Sequence, residues 1–549
     1  MISATTFGGA DIDTQLIAKS TFLVIDDFLG MRGMLSSVLR NCGANPKSID
    51  TASNGPEAIQ QLAKRRYDIV LCDFNLGAGQ NGMQVLEEAK HKSLIGPSCC
   101  WIMVTAEKTV DTVMGTAEVQ PDAYLIKPVT EAVLTARIAK IKAKKEAFVD
   151  IDRAISARDF LKAIRLCEER AAVDKANAIE LLRIKCDLQM QSGQSDKARQ
   201  TYEKILAARD VPWAQLGLAR IHQQAGRHDA ACQLLEQLIE QNRSYLDAYD
   251  SLAESYQALG ENEKAETILD RAVALSPNSH SRQRIIGELA LKTGKLDRAE
   301  KAFRKTLKLA EHSVRKTPDA YLGLARTVGA KADPQEALNV LNQMDKLFDN
   351  DEVRLRSKSV EGYVYHQNGL ARQAAEAARD LASMLDRSSV RPEPLATREM
   401  AELLLVAGNR DKGLALLRTE VMNNPDDVRT VDAVQAIFRK VGLADEGSNL
   451  VETSRKEAGE LMNAGILLAR DGNYTDAIER MRAALERMPR NVRLLLNAAH
   501  IMLSYMERDG SQAALLRETK RNLLAANQLS PSEPRFVELM QRLEALQGR

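Results

Sequence analysis

The sequence predicts an α/β region with a five-stranded parallel sheet, followed by an all-α array of helical repeats. Two observations predict this division. Strand-like and helix-like segments alternate through residues 21–145, and beyond residue 146 a glycine followed five positions later by a small residue recurs every 30 to 39 residues. Alternating β and α segments are typical of parallel sheets covered by helices. A period in this range is typical of stacked helix pairs.

Five strand-like segments and five helical patterns make up the α/β region. Apolar and β-branched residues fill each strand-like segment, and apolar residues spaced three and four apart mark each helix. Because the strands run parallel, their carboxyl ends lie at one edge of the sheet, where such sheets bind ligands. The strand-like segments are 21–26, 48–53, 67–73, 99–105 and 122–127, and the helical patterns are roughly 30–41, 56–66, 82–92, 108–118 and 129–145.

Charged and hydroxyl-bearing side chains stand at the carboxyl ends of four predicted strands: Asp26 and Asp27, Asp73, Thr105, and Lys127. Three carboxylates in one pocket raise one another's pKa unless a cation neutralises them. Mg²⁺ suits such a pocket because it binds a few carboxylates and keeps several waters. With such an ion bound, Asp73 can stay ionised as a nucleophile, while Lys127 supplies a fixed positive charge and Thr105 a hydroxyl donor.

These positions resemble the receiver domain of bacterial two-component response regulators. The resemblance implies a CheY-like, flavodoxin-like, doubly wound fold over about 125 residues. It also implies that Asp73 is the phosphoacceptor and that Thr105 and Lys127 complete the catalytic set. The implied phosphoryl donor is a phosphohistidine on a sensor histidine kinase or a phosphotransfer protein.

The same resemblance assigns a metal site and a switch. Thr105 and Tyr124 correspond to the residues that move together on phosphorylation. Asn75 and Glu107 occupy positions that tune how long the phosphate survives, and Gly77 stands where a proline is common, which we expect to loosen the loop. The implied Mg²⁺ ligands are the carboxylates of Asp26, Asp27 and Asp73 and the backbone carbonyl of Asn75.

Structural interpretations remain open beside these functional ones. The adjacent aspartates could be a solvated strand end, Thr105 a helix N-cap, and Tyr124 a packing residue only. A receiver can also keep its residues and never be phosphorylated. The run GAGQNG at 77–82 has the glycine spacing of a dinucleotide site, but it follows the third strand instead of the first and lacks the acidic residue expected further on.

The recurring glycine and small residue of the second region can be explained by helix packing. The glycine permits a tight turn between two helices, and the small residue lets the helices cross closely. One further unit keeps Ala332 and Ala337 without the glycine. The pairs are Gly193/Ala198, Gly226/Ala231, Gly260/Ala265, Gly294/Ala299, Gly369/Ala374, Gly408/Gly413, Gly442/Gly447 and Gly472/Ala477.

Residues 249–277 and 463–489 resemble tetratricopeptide repeats. We expect about nine repeats, a partial unit near 150–175 and terminal capping helices after 490. The resemblance implies a superhelix whose concave groove binds a protein or peptide. Inward-facing candidates in this groove are Arg220, Gln223, Tyr256 and Gln257.

Composition indicates which classes of partner and which cellular compartment to expect. Lys and Arg number 76 against 75 Asp and Glu, so net charge predicts neither a nucleic-acid nor a membrane partner. The seven cysteines contain no C-x-x-C pair and do not read as a disulfide framework. No secretory leader pattern opens the sequence. These features predict a cytoplasmic protein.

The expected organisation is a flexible tail over 1–19, a receiver over 20–145 and a tetratricopeptide-repeat domain over 146–549. The combination predicts a signalling protein and not an enzyme, apart from the receiver's own phosphoryl transfer and autodephosphorylation. Phosphorylation would gate protein binding by the repeats, either through a rearranged receiver–repeat contact or through receiver dimerisation. The alternative is a constitutive scaffold whose receiver serves only for docking or dimerisation.

Overall fold

The computed structural model describes residues 17–106, 121–313, 316–388, 390–530 and 533–547. Most of the expected N-terminal tail and the helix expected at 108–118 lie outside the described residues. The predicted succession of an α/β region and a helical array is confirmed.

The α/β region is built on one parallel sheet of five strands. The strand order is β2-β1-β3-β4-β5, and each neighbouring pair is parallel. Each predicted strand is present and is slightly shorter than its apolar segment in the sequence. The strands are β1 (Phe22–Ile25), β2 (Ile49–Ala52), β3 (Ile69–Asp73), β4 (Cys100–Thr105) and β5 (Ala123–Ile126).

Helices cover both faces of the sheet. Alternate strand residues point to opposite faces, so Val24 and Leu71 pack with α1 and α4, whereas Ile25 and Cys72 pack with α2 and α3. A short 3₁₀ turn at Pro46–Ser48 precedes β2. The helices are α1 (Leu29–Asn41), α2 (Gly55–Lys64), α3 (Gly82–His91) and α4 (Glu131–Glu146).

Antiparallel helix pairs follow α4. They are α5 (Val149–Ser156), α6 (Phe160–Val173), α7 (Ala178–Gln191), α8 (Ser195–Ala208), α9 (Pro212–Gln224), α10 (His228–Gln241), α11 (Leu246–Ala258), α12 (Asn262–Leu275), α13 (His280–Lys292), α14 (Leu296–Leu309), α15 (Pro318–Ala330), α16 (Pro334–Asp345), α17 (Asp351–Gln367), α18 (Ala371–Arg387), α19 (Pro394–Val406), α20 (Arg410–Asn423), α21 (Val428–Lys440), α22 (Ala444–Arg470), α23 (Tyr474–Arg487), α24 (Val492–Asp509), α25 (Ala513–Leu529) and α26 (Pro534–Gln547).

The recurring glycine and small residue have the structural roles that the sequence predicted, in turns and in helix packing. All eight turn glycines have positive φ values, between +72° and +88°, a conformation that glycine adopts without steric cost. Ala332 takes the same turn at φ +65° in the unit without a glycine. The small residues five positions after these turn residues are all buried. The glycine therefore marks the turn between two helices, and the small residue marks the point where the helices cross.

Helix α22 joins two neighbouring units of the repeat pattern. The unit with Gly442 and Gly447 and the unit at 463–489 share one continuous helix, Ala444–Arg470. Residues 456–463 contain strong helix formers and no proline. Gly459 alone costs roughly 1 kcal/mol in a helix, which does not break it.

The chain divides into two compact units. The first comprises Met1–Leu289 and Lys301–Thr317, and the second comprises Ala290–Glu300 and Pro318–Arg549. The boundary expected after residue 145 falls inside the first unit. That boundary stays a prediction about which part of the chain folds independently.

All seven cysteines are buried free thiols. This agrees with the expectation that they form no disulfide framework. None of the described helices combines the length and apolar character that a membrane-spanning segment needs.

Candidate functional site

Polar side chains from four strands meet at the carboxyl edge of the sheet. Asp26 follows β1, Asp73 ends β3, Thr105 ends β4 and Lys127 follows β5. The order β2-β1-β3 places β1 beside β3, where the sequential order of strands reverses. Ligands bind at such a reversal in open parallel sheets. The fold thus brings these residues to the same edge of the sheet, as the sequence predicted.

The carboxylates of Asp26, Asp27 and Asp73 form one cluster. One oxygen atom from each residue lies within 4.8 Å of the others. Asp26 is 1% exposed and Asp73 is 8% exposed, whereas Asp27 faces solvent. A small group of carboxylates with one side open to water fits Mg²⁺, which retains part of its hydration shell. The residues present therefore suit the predicted ion.

Lys127 bridges the two buried carboxylates. Its Nζ donates to Asp26 Oδ2 at 3.0 Å and to Asp73 Oδ2 at 2.7 Å. Burial by itself lowers the pKa of this amine, but hydrogen bonds and attraction to both carboxylates outweigh that effect and raise the pKa overall. Lys127 therefore stays charged and holds the pocket together.

The environment of Asp73 makes its carboxyl group harder to ionise than a free aspartate side chain. Burial raises the pKa of Asp73, and the neighbouring Asp26 raises it further. The hydrogen bond and charge of Lys127 lower the pKa but offset burial only in part. A cation added to this pocket would favour the ionised, nucleophilic carboxylate.

The loop after β1 fixes Asp26. Its Oδ1 accepts a hydrogen bond from the backbone N–H of Phe28 at 3.0 Å, while Oδ2 faces Lys127. Arg32, one turn into α1, donates to the backbone carbonyl of Asp26 at 2.5 Å. The two oxygens of this buried carboxylate are thus oriented before any ligand arrives.

Gly77 occupies a conformation that proline cannot adopt. Its φ is +74°, and a Cβ at this position would lie 3.0 Å from Asp27 Oδ2. Proline holds φ near −65°. Asn75 organises the same loop, because its side-chain oxygen accepts from the Gly77 N–H at 3.2 Å and its backbone N–H donates to Asp73. The glycine keeps room for the acidic cluster.

The predicted switch residues lie on neighbouring strands. Thr105 is 7% exposed, and its backbone carbonyl accepts from the N–H of Lys127 at 2.8 Å. Tyr124 pairs in register with Met103 and packs on the α2–α3 side of the sheet. Its hydroxyl has no hydrogen-bond partner among the described residues. Glu107, expected to tune phosphate lifetime, lies outside them.

The run at 77–82 forms the loop and cap of α3. Asn81 and Gln84 make a capping box that satisfies backbone N–H groups at the helix start. Gly82 is required by close approach, since a Cβ there would lie 2.1 Å from the backbone oxygen of Asp73. Gly82 therefore lets α3 begin directly against the acceptor strand.

Three of the four expected groove residues share one cavity. Arg220, Gln223 and Gln257 line a space of about 720 Å³ formed by α9, α11 and α13. Tyr256 instead is only 7% exposed, and its hydroxyl donates to Glu236 on α10. Tyr256 therefore packs between helices. The repeat motif alone does not distinguish such a buried tyrosine from one that faces the groove.

Comparisons with known proteins match both regions. The sequence model of the response regulator receiver domain matches residues 22–139. Chemotaxis protein CheY-3 of Vibrio cholerae is 31% identical over 125 residues, covering 22% of this chain and 88% of that protein. The chain belongs to the response regulator receiver family. Its array is matched by tetratricopeptide repeat models over 186–245, 222–289, 285–352 and 462–503.

Each region also has similar proteins among solved structures. The receiver is similar to chemotaxis protein CheY4 of Vibrio cholerae, with 23% identity, 22% of this chain and 98% of that chain covered, and a TM-score of 0.21. The repeats are similar to a tetratricopeptide repeat protein of Parabacteroides merdae, with 14% identity, 54% and 99% covered, and a TM-score of 0.34.

Several residues at the contact between the receiver and the first helices of the array were not predicted from the sequence. Asp152 on α5 is buried against the receiver, and Glu87 on α3 lies near residues of the later helix pairs. A lone acidic residue on an amphipathic helix carries no local signal for such a role. Only the tertiary structure brings these positions together.

Proposed function

We propose that this protein is a phosphorylation-dependent signalling protein in which Asp73 accepts a phosphoryl group and thereby controls protein binding by the repeats. The convergence of Asp26, Asp27 and Asp73 around Lys127 carries this proposal. The proposed Mg²⁺ ligands are these three carboxylates and the backbone carbonyl of Asn75. The donor is a histidine kinase or a phosphotransfer protein.

In the proposed reaction, a carboxylate oxygen of Asp73 attacks the phosphorus of a phosphohistidine. The new O–P bond forms as the P–N bond breaks, and the histidine nitrogen keeps the electron pair. A bound Mg²⁺ would supply charge neutralisation of the phosphoryl oxygens. Phosphoryl transfer of this kind needs positioning and charge stabilisation more than covalent help from the protein.

The other pocket residues act on the product. Lys127 contacts Asp73 Oδ2, which supports a role for its ammonium group in pairing with a phosphoryl oxygen. The Thr105 hydroxyl, at the end of the adjacent strand β4, donates to another oxygen. The modification adds close to two negative charges in a buried site. Rearrangement of Thr105 and Tyr124 toward that charge is the proposed switch.

Beryllofluoride, a non-transferable mimic of an aspartyl phosphate, tests the switch. Full-length protein with Mg²⁺ should bind it and show altered hydrogen exchange in β4, β5 and the helices next to them. An Asp73→Asn variant, which keeps the side-chain shape, should show neither effect. Equal behaviour of the two proteins would reject the switch.

The scaffold alternative predicts a different result. A receiver used only for docking keeps the same oligomeric state, partner binding and exchange pattern with and without beryllofluoride. Beryllofluoride binding that leaves all three unchanged would therefore favour the scaffold.

A further inference from the structure

Another cavity lies in the compact unit that contains Pro318–Arg549. Its volume is about 630 Å³, which is within the range of ligand-binding pockets. Helices α18, α20 and α23, each the second helix of its pair, form most of the wall together with the segments that follow α18 and α23. The candidate groove residues Gln223 and Gln257 instead line a space between the first helices α9, α11 and α13. The two cavities share no residue and are separate sites.

The loop between α18 and α19 contributes to this cavity and is longer than the corresponding loops of the neighbouring helix pairs. It spans residues 388–393, whereas 424–427 and 488–491 connect those pairs. Arg490 Nη2 donates a hydrogen bond to Glu393 Oε2 at 2.8 Å. This contact links the end of the longer loop to the turn that follows α23.

Buried amide side chains fix the turn after α23 to the end of α20. Asn423, the last residue of α20, is 7% exposed, and its Oδ1 accepts a hydrogen bond from the backbone N–H of Arg490 at 2.9 Å. Asn491 is 2% exposed, and its Nδ2 donates to the backbone carbonyl of Met422 at 2.9 Å. Leaving a buried amide group without its partner is costly. These parts of the wall are therefore held in place before any ligand binds.

Apolar side chains from every part of the wall line the cavity. Leu385 comes from α18, Leu416 and Met422 from α20, Val390 from the longer loop, and Pro489 from the turn after α23. Leu385 and Leu416 pack against the same hydrophobic core. A concave apolar surface favours a ligand that brings an apolar group out of water. The cavity therefore suits an apolar side chain.

The charged residues that line the cavity are mostly basic. One of the acidic ones, Glu420, is 5% exposed and accepts a hydrogen bond from Arg398 Nη1 at 3.0 Å. Its charge is therefore largely compensated within the protein, and the cavity as a whole favours a negatively charged ligand. The basic residues are Arg391, Lys412, Arg418, Arg487 and Arg490, and the acidic ones are Glu420 and Glu486.

Two of these basic residues have a charge that no acidic side chain of the protein neutralises. Lys412, Arg487 and Arg490 each form an ion pair within the array. In the part of the chain that the structure describes, Arg391 and Arg418 form none, and both are exposed. A guanidinium group can hold a carboxylate through two parallel hydrogen bonds. A ligand that carries carboxylates next to an apolar group therefore complements this cavity.

We propose that this cavity binds an acidic peptide segment of a partner protein. An apolar side chain of the peptide packs against Leu416 and Met422, and its neighbouring carboxylates pair with Arg391 and Arg418. The inference goes beyond the proposed function, because it adds a binding site outside the groove that does not depend on phosphorylation of Asp73. Single-stranded nucleic acid fits less well, since its bases stack on aromatic side chains and none of the described residues that line the cavity is aromatic.

Fluorescence polarisation of labelled short peptides with the full-length protein tests this site. One peptide pool carries Asp or Glu on both sides of a central leucine, and the control pool carries Lys at the same positions. The acidic pool should bind more tightly, and Arg391→Gln and Arg418→Gln should each weaken its binding about tenfold through loss of a charge-assisted contact. Arg480→Gln removes an exposed arginine of α23 outside the cavity and should leave the affinity unchanged.

A benzophenone amino acid in place of the central leucine locates the bound peptide. Its cross-links, mapped by mass spectrometry, should fall on α18 and α20. Cross-links on α9 or α11 would place the peptide in the groove and overturn the inference. Equal binding of the two pools, tighter binding of an oligothymidine strand, or acidic-peptide binding that survives both arginine substitutions would also overturn it.

Discussion

At the scale of single residues, the pocket depends on a balance between Lys127 and the buried carboxylates. Lys127 reaches both Asp26 and Asp73, yet burial still raises the pKa of Asp73. In the metal-free protein, ionisation of Asp73 is therefore less favourable than ionisation of a free aspartate side chain. The carboxylate positions and the lysine were predictable from strand ends, whereas this balance depends on distances that the sequence does not contain.

This balance predicts how the stability of the protein depends on pH when a chelator removes metal ions. A raised pKa means that folded Asp73 holds its proton at pH values where the unfolded carboxyl, with a pKa of about 3.9, has lost it. The stability contributed by Asp73 therefore falls as pH rises through that window. The raised pKa of Lys127 acts only in the alkaline range, since its stabilisation persists below about pH 10.4.

Asp73→Asn should consequently be more stable than the parent at neutral pH without metal, and the difference should shrink on acidification toward pH 4. Urea unfolding at several pH values measures it. Asp196→Asn, whose side chain is 91% exposed, is the control and should change little. A less stable Asp73→Asn variant at neutral pH would contradict the pocket electrostatics.

Mg²⁺ should stabilise the ionised carboxylates of the parent protein and so stabilise its folded state. At a concentration one hundred times its dissociation constant, the ion should raise the free energy of unfolding by about 2.7 kcal/mol. Asp26→Asn removes a buried negative charge from the acidic cluster and should lose most of the gain. Thermal unfolding with and without Mg²⁺ checks this, and equal gains in both proteins would reject the site.

Gly77 and Gly79 offer a matched pair within one loop. Both have positive φ, at +74° and +108°, but only a Cβ at Gly77 would approach the Asp27 carboxylate. Alanine at either position should cost about 1 kcal/mol of stability. Gly77→Ala alone should also weaken Mg²⁺ binding, measured by calorimetry. Equal Mg²⁺ affinities in the two variants would show that Gly77 does not protect the cluster.

At the scale of elements, local patterns predicted the strands and the repeat turns because both depend on nearby residues. Positive φ at Gly260 and burial of Ala265 follow from one short motif. Helix α22 was not predicted, because a repeat motif marks where turns usually fall, whereas helix continuity depends on the residues present. Tyr256 shows the same limit, since its packing partner Glu236 lies on another helix.

Ala332 provides a test of the turn rule. It adopts φ +65° at a position where the other units use glycine, so Ala332→Gly should remove strain and stabilise the protein by up to about 1 kcal/mol. Gly294→Ala, the reverse change in another unit, should destabilise by a similar amount. Chemical unfolding measures both. Destabilisation by Ala332→Gly would contradict the assignment of this turn.

At the scale of the molecule, the receiver and the first helix pairs form one compact unit. Asp152, Ser98 and Glu87 hold the contact together. The sequence predicted both parts and their order. It could not predict their contact, because the partners are up to 226 positions apart and none belongs to a motif.

The most direct test of the account is intact-mass measurement of the full-length protein incubated with Mg²⁺ and phosphoramidate, a small donor with a P–N bond. The parent should gain one phosphoryl group, and Lys127→Ala should gain it about 10²-fold more slowly. Asp73→Asn should gain none. A parent protein that remains unmodified, or an Asp73→Asn variant that is modified equally well, would contradict the assignment of Asp73 as the phosphoacceptor.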